Sequence, residues 1–482
     1  MSARTVSVPG LVFYDTETTG ILPAFDQILQ FAAIRTNSNL EELDRFEIRC
    51  RLQPHIVPAP GAMRVTQIKA GQLDDQSYPS HYEMVRRIRG KLASWSPAIF
   101  IGYNSLGFDE QILRQAFYQT LHDPYLTNRT GNARADLMRM VQVSALVAPN
   151  VLALPLNEKG QPQFKLDRLA PANGFAHERA HDALGDVEAT IHLARLIRAR
   201  APDLWSASLR GGTRASAIDI MTREPMFCAF ESYYAKAYGW TLTALGTSQE
   251  NSASVYTYDL AIAPQELAAL DEDDLALRLD QQPRPLRVIK ANAGPILMDY
   301  PTAHGWTSAA AIAPAELERR AAFITSDAGF RGRLIRAYEA RFAPRVSSAF
   351  VEEQIYDGFT SSRDQRLLER FHESPWEDRG QLLKELSDPR LRQLGKRLLY
   401  IERPDLLEGR TRAAQARKLA ERLLCADDSV PWLTLPRALK EVKDLLATAE
   451  GAEAEHLDEH RAFLEQRLKE ARRALRTRGQ SV

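Results

Sequence analysis

Apolar residues in the first 200 positions recur in two ways: as short continuous runs, and at spacings of three and four. Leu11-Val-Phe-Tyr14 and Phe31-Ala-Ala-Ile34 read as buried strands. Phe46, Ile48, Cys50 and Leu52 alternate with Glu47, Arg49 and Arg51, the period of two expected of a half-buried third strand. Ile99-Phe-Ile-Gly102-Tyr103 makes a fourth. Tyr82, Val85, Ile88, Leu92 and Trp95 lie at helical spacing, so this stretch is an amphipathic helix. Further helices are predicted from Asp109 to Leu121 and from Leu137 to Val147, and a long one through Val187, Ile191, Ala194 and Ile197 ends near Arg200. Strands grouped early with helices interleaved predict an α/β domain with a mixed sheet.

The texture changes after Pro202. Short strands at Trp240-Thr-Leu-Thr-Ala-Leu245, Val255-Tyr-Thr-Tyr-Asp-Leu260 and Leu286-Arg-Val-Ile289 predict a small β-rich second domain. The acidic run Asp271-Glu-Asp-Asp274 reads as a solvated helix start. From about residue 350 the chain is helical and densely charged, with many i,i+4 pairs between Arg437 and Arg476. Boundaries are expected at 1–201, 202–348 and 349–482, which suits a chain of 482 residues, too long for one core.

Composition narrows the class. The start, Met1-Ser-Ala-Arg-Thr-Val-Ser-Val-Pro9, is too polar for a signal peptide, and no apolar run is long enough to span a membrane. A cytoplasmic location is expected. Three cysteines far apart exclude a disulfide framework and a thiolate zinc site. A formal charge of zero leaves nucleic-acid binding open, because local patches decide it.

The chemistry starts where the first strand ends, in Asp15-Thr-Glu17-Thr-Thr-Gly20. Residues i and i+2 of a strand share a face, so Asp15 and Glu17 point at one spot. Two acids so placed repel unless a cation sits between them. Taken alone, the stretch reads equally well as a solvated turn closed by Gly20. Asp109 is a third acid, at a strand-to-helix junction in Asn104-Ser-Leu-Gly-Phe108-Asp109. Asp186 is a fourth, five residues after His181. Five helical residues turn through about 500°, which leaves side chains about 140° apart, so His181 and Asp186 cannot share a helix face. With Asp182 as N-cap, His181 falls on the preceding loop and Asp186 in the first helical turns. A loop histidine above a fixed carboxylate suits a general base above a metal ligand.

Asp15-x-Glu17, Asn104-x-x-x-Phe108-Asp109 and His181-x-x-x-x-Asp186 together resemble the three motifs of the DEDDh branch of 3′→5′ exonucleases. Within it the chain resembles the bacterial exonuclease I family through Phe31-Ala-Ala-Ile-Arg-Thr36, Ile101-Gly-Tyr-Asn104, Asp123-Pro-Tyr125, Ala172-Asn-Gly174 and Gln354-Ile-Tyr-Asp-Gly-Phe359. The resemblance implies an RNase H-like domain, an SH3-like domain and a helical C-terminal domain. It also implies degradation of single-stranded DNA from the 3′ end to 5′-mononucleotides, in repair and recombination. Asp15, Glu17, Asp109 and Asp186 would hold two Mg2+ ions, with Mn2+ the alternative, and His181 would be the base. Glu17, Lys165, Arg114 and Tyr125 match substrate-contacting positions, although solvation or packing explains the last three as well. Single-stranded DNA-binding protein, through its acidic tail, is the implied partner, and a monomer is expected.

The chain departs from that family in having Thr16 and Thr19 where it carries aromatics, and Gln67 where it carries a glycine. Arg331, Arg333, Arg336, Arg341 and Arg345 form either a solvated face or a track for a DNA backbone. Two rivals share the motifs: a DEDDh enzyme that trims RNA or proofreads a polymerase, and a catalytically dead scaffold. The chain's length and Gln354–Phe359 argue against the first, and the complete acid and histidine set argues against the second.

Overall fold

The computed structural model describes residues 10–476, apart from residues 130, 178–179, 235 and 343–345. The first domain is built on a five-stranded sheet. Its strands are β1 (Gly10–Thr18), β2 (Ile28–Thr36), β3 (Glu42–Arg49), β4 (Ala98–Gly102) and β5 (Ala133–Asp136), in the order β3-β2-β1-β4-β5. β1 runs antiparallel to β2 and parallel to β4, so the sheet is mixed, as the sequence pattern requires. β3 ends at Arg49, and Cys50 turns inward, its thiol donating to the Ile28 carbonyl at 3.2 Å. β5 has no apolar run to announce it: its four residues include Arg134 and Asp136, both buried.

Each face of the sheet carries its own core. Leu11, Phe13, Ile34 and Ile99 meet Val187, Ile191 and Ala194 of the Ala183–Arg200 helix. Val12, Tyr14, Phe31 and Phe100 meet the His81–Trp95 and Asp109–Gln119 helices. Phe13, Phe31 and Phe100 are wholly buried, each worth about 1.5–3 kcal/mol against exposure. β1 thus lies between two helix layers, and whatever follows Tyr14 is delivered to the seam between them.

The second sheet joins β6 (Phe227–Tyr233), β7 (Lys236–Thr247), β8 (Ser254–Asp259), β9 (Leu286–Lys290) and β10 (Ile296–Asp299) in the order β10-β6-β7-β8-β9, antiparallel throughout. The Glu272–Asp280, Pro314–Ser326 and Ala328–Glu339 helices cover one face, over Tyr256 and Tyr258. Asp271 caps the first of these, accepting from the Asp274 amide at 2.9 Å. Three arginines of the basic cluster are engaged within their own domain, while Arg336 is exposed. Arg331 donates to Ile324 and Thr325 carbonyls, Arg333 to Ala268 and Leu270, and Arg341 to Leu279 and Asp280. These guanidiniums tie off helix ends within their own domain; Arg345 lies outside the described residues.

The region from Ser362 to Arg476 is helical, as expected. Its Leu435–Leu446 and Gly451–Arg476 helices fasten residues 54–63 of the first domain, the approach to and first turn of the Pro60–Thr66 helix. Glu441 accepts from the Gly61 amide at 2.9 Å, the His456 Nε2 lies 2.9 Å from the Met63 carbonyl, and Arg467 donates to the Pro54 and Ile56 carbonyls. Among the described residues, no helix is long and apolar enough to cross a membrane.

Candidate active site

Asp15 and Glu17 continue the Leu11–Phe13 face of β1, toward the Ala183–Arg200 helix. That helix begins where the sequence places it. The Asp182 side chain accepts from the Gly185 amide, and its other oxygen takes Arg49 at 2.7 Å and Gln30 at 2.9 Å. Asp186 therefore sits in a first turn bolted to β2 and β3. One oxygen from each of Asp15, Glu17 and Asp186 lies within 4.8 Å of the others. Asp109 approaches from the opposite face. Its Oδ1 accepts from the Thr16 amide at 3.1 Å and the Thr16 hydroxyl at 2.6 Å. It also opens the Asp109–Gln119 helix, where a carboxylate is favoured.

This placement has a strong electrostatic consequence. Burial, then repulsion from Asp109, Asp186 and Glu17, pushes Asp15 well above the ordinary carboxylate range. Burial and the charge of Asp186 push Glu17 up to about 9. Burial raises Asp109 to about 7 against the Thr16 hydroxyl, which favours the anion. A divalent cation among them would relieve both penalties, and an all-oxygen carboxylate set suits a hard ion.

A cleft of about 560 Å3 opens beside Asp186, with Val65, Asn104, Met138, Lys165 and His181 also in its wall. His181 is exposed, with a left-handed φ of 62°, and its amide donates to Asp186 Oδ1 at 3.3 Å. Lys165 is exposed at the rim, at the N-cap of the Leu166–Ala172 helix. Asn104 is also left-handed, at φ 61°, a conformation asparagine tolerates better than most residues. Its amide and that of Leu106 bond Asp136, which holds the approach to Asp109 in place.

Arg114 and Tyr125 lie away from the acids. Arg114 is buried, its Nε 2.8 Å from Glu110 Oε1, an oxygen shared with Arg134 and Thr127. Tyr125 is half-buried, with the Arg129 guanidinium 4.7 Å from its ring centre and Phe359 6.2 Å away. Tyr125, Arg129 and Phe359 wall a second cleft, between the first domain and the C-terminal helices; Arg114 does not line it.

Sequence reasoning missed His177, the role of Thr16 and the place of Arg129 beside Tyr125. The His177 ring is 1% exposed and its Nε2 lies 2.7 Å from Asp186 Oδ1. With the His181 amide on the same oxygen, Asp186 is held in one rotamer. The available signal was a second histidine four residues before His181. Thr16 and Thr19 do not face the cleft: Thr16 grips Asp109, while Thr19 donates to Asp26 at 2.9 Å and accepts from the Gln27 amide. Asp26 lies so close that a Cβ at position 20 would stand 2.5 Å from its carboxylate, so only glycine fits there. Gln67 has φ 55° at a helix C-cap, a conformation glycine adopts freely.

The family model described as Exonuclease matches residues 12–194, and the one described as Exonuclease I C-terminal domain matches residues 350–467. Exodeoxyribonuclease I of Escherichia coli K12 is 28% identical over 381 residues, 74% of this chain and 78% of that protein. A moderately thermophilic exonuclease I from Methylocaldum szegediense superposes with a TM-score of 0.81 at 24% identity, over 96% of this chain and all of that one. Exonuclease I of E. coli in complex with a dA16 oligonucleotide superposes with a TM-score of 0.79 at 25% identity, covering 97% of this chain and 100% of that one.

Proposed function

Since the chain belongs to the exonuclease family and carries its exonuclease I C-terminal domain, we propose that it hydrolyses single-stranded DNA from the 3′ end, releasing 5′-mononucleotides. The observation that carries this reading is the convergence of Asp15, Glu17 and Asp186 within 4.8 Å, with Asp186 in the wall of a cleft that also holds His181 and Lys165.

Asp15, Glu17 and Asp186, with Asp109 beside them, would hold the divalent ions, with Mg2+ the physiological choice. Bound there, such ions lower the pKa of a water and neutralise charge on the departing oxygen. The chain's own residues supply the rest. His181, exposed on the loop before the Ala183–Arg200 helix, takes the proton of the attacking water. Its loop position lets it move while Asp186 stays fixed. Lys165 offers a point charge to a backbone phosphate at the rim. The second cleft gives the strand an approach, with Tyr125 and Phe359 as base faces and Arg129 as a phosphate contact.

The same reading treats residues 202–348 as an SH3-like domain, the protein as a monomer acting in repair and recombination, and the acidic tail of single-stranded DNA-binding protein as a partner. The deciding assay offers end-labelled single-stranded DNA, duplex DNA and RNA, each with Mg2+ and with EDTA. Digestion of single-stranded DNA alone, from its 3′ end and abolished by EDTA, is expected. Preferred digestion of RNA, or attack from the 5′ end, would refute the proposal.

A further inference from the structure

Glu17 stands where the ladder that positions β1 runs out. β4 pairs with β1 only over Gly10–Phe13, and the β1–β2 register shifts between Glu17 and Thr18. Past that point a tight loop takes over. The Thr19 amide donates to the Gln27 carbonyl at 2.9 Å, and Asp26 accepts from the Thr19 hydroxyl at 2.9 Å and the Leu22 amide at 2.8 Å. Ile21 and Leu22 of this loop are exposed, whereas Phe25 is 6% exposed and belongs to neither core of the first domain. Its ring enters a socket made by the C-terminal region. Phe350 meets it edge-on, with ring centres 6.2 Å apart, and Trp432 lies 6.0 Å away. Those two rings meet each other at 5.2 Å, and the Arg422 guanidinium stands 4.3 Å from Trp432 and 5.8 Å from Phe25. Charge braces the socket: one oxygen of buried Glu352 takes Arg397 at 2.6 Å and Arg422 at 3.1 Å. Arg397 also donates to the Gln119 side chain, which donates to the Ala24 carbonyl, both at 2.9 Å. Gln119 ends the helix that Asp109 opens, so one brace reaches both the loop behind Glu17 and the Asp109 helix.

We propose that Phe25 is a positioning residue: seated among Phe350, Trp432 and Arg422, it makes the C-terminal region set the place of the Glu17 carboxylate for a divalent ion. This rests on the nuclease reading above and assigns that region a part in the metal site. Three acids that repel one another splay apart unless the backbone beneath them is held. β2 holds Glu17 from one side, and the loop stands in for a second strand. A ring in an aromatic socket suits that hold, because edge-to-face contacts fix its orientation as well as its depth. Glu17 lies eight residues before Phe25, and the hydrogen bonds at Thr19 and Asp26 carry the ring's position back toward it. A misplacement of about 1 Å is enough to spoil such a site.

The test uses the full chain without DNA, titrated with Mn2+ by calorimetry, beside thermal melts in EDTA and Mg2+-dependent digestion of single-stranded DNA. Phe25→Ala and Trp432→Ala, one on each side of the contact, should each bind Mn2+ about tenfold more weakly, the low end for lost support of a metal ligand. The double variant should be no worse than either, because each empties the same contact. Phe25→Leu keeps the bulk without the ring contacts and should lose about threefold, which preserves the test where an alanine variant does not fold. KM for DNA should stay near that of wild type throughout. Lower melting temperatures with unchanged Mn2+ affinities would reduce Phe25 to packing and overturn the proposal, as would losses that add in the double variant. Wild type that binds Mn2+ but leaves single-stranded DNA intact would overturn the nuclease reading instead, while the Mn2+ affinities still decide the role of Phe25.

Discussion

Thr16→Val tests the link between β1 and Asp109. The substitution keeps the shape and β-branching of the side chain and leaves the backbone amide donating at 3.1 Å. It removes the hydroxyl that donates at 2.6 Å, within the short range of charge-assisted O–H···O⁻ bonds. Such bonds contribute about 1.5–3 kcal/mol, and losing a partner of this kind weakens a metal site by about 10–100-fold. With the amide retained, the lower end applies, so about tenfold more Mg2+ should be needed for half-maximal digestion of single-stranded DNA. The direction follows from the acid. Burial holds Asp109 at about 7 against the hydroxyl, which favours the anion. Without that hydroxyl its pKa rises further, and less of it is ionised at neutral pH. The defect should therefore shrink as pH rises above about 8. Thr16→Ser restores the donor and should restore the Mg2+ dependence. Identical Mg2+ curves for wild type, Thr16→Val and Thr16→Ser would refute the reasoning.

Three further outcomes follow from the geometry. His177→Ala frees Asp186 Oδ1 of its ring partner and should raise the Mg2+ requirement about tenfold or more, with KM for DNA little changed; His177→Gln should recover part of the loss, and a change confined to KM would exclude a positioning role. Glu110→Ala leaves Arg114 and Arg134 buried without their carboxylate. It should cost about 3–5 kcal/mol, seen as a collapse of thermal stability, and a variant as stable as wild type would contradict that account. Glu17 is raised from its ordinary value of 4.5 to about 9, so its contribution to metal-free stability is full below about 4.5 and is lost as pH climbs through 9. In EDTA, thermal stability should fall from about pH 6 to about pH 9, Mg2+ should restore more at the higher pH, and Glu17→Gln should flatten the slope. A metal-free midpoint that rises over this window, alike in both proteins, would count against it.

The catalytic half was legible because its signals are local. A buried run ending in Asp15-Thr-Glu17 sets both acids on one face by strand geometry alone, and Asp182 as a cap separates His181 from Asp186. The second sheet was only partly legible. β7, β8 and β9 stood out, whereas β6 and β10 did not: Ile296–Asp299 has only four residues and pairs far back along the chain with Phe227–Phe230, and Phe227–Tyr233, though it pairs with the adjacent β7, carries no clean apolar alternation. β5 hid for a different reason: Arg134 is buried through its charge on Glu110, and no hydropathy pattern marks a residue buried that way. Glu110 likewise explains Arg114, which a motif match places at a substrate position and the fold places inside an ion-pair cluster. Thr16 and Thr19 were legible as departures, but their purpose needed coordinates: both hydroxyls face carboxylates in the protein rather than the cleft.

The grip of the C-terminal helices on residues 54–66 has a consequence for how the enzyme is made. Val65 lines the catalytic cleft, and this stretch is held by Glu441, His456 and Arg467, with His456 393 residues after Met63. Ribosomes release a chain from its N-terminus, and domains begin to fold as they emerge. The four acids are thus synthesised within the first 186 residues, roughly 15–60 seconds before the last of the helices that complete the wall around them. A nascent chain carries the catalytic carboxylates long before it has a finished cleft, so DNA near the translating ribosome meets a nuclease whose wall closes only with synthesis of the Gly451–Arg476 helix.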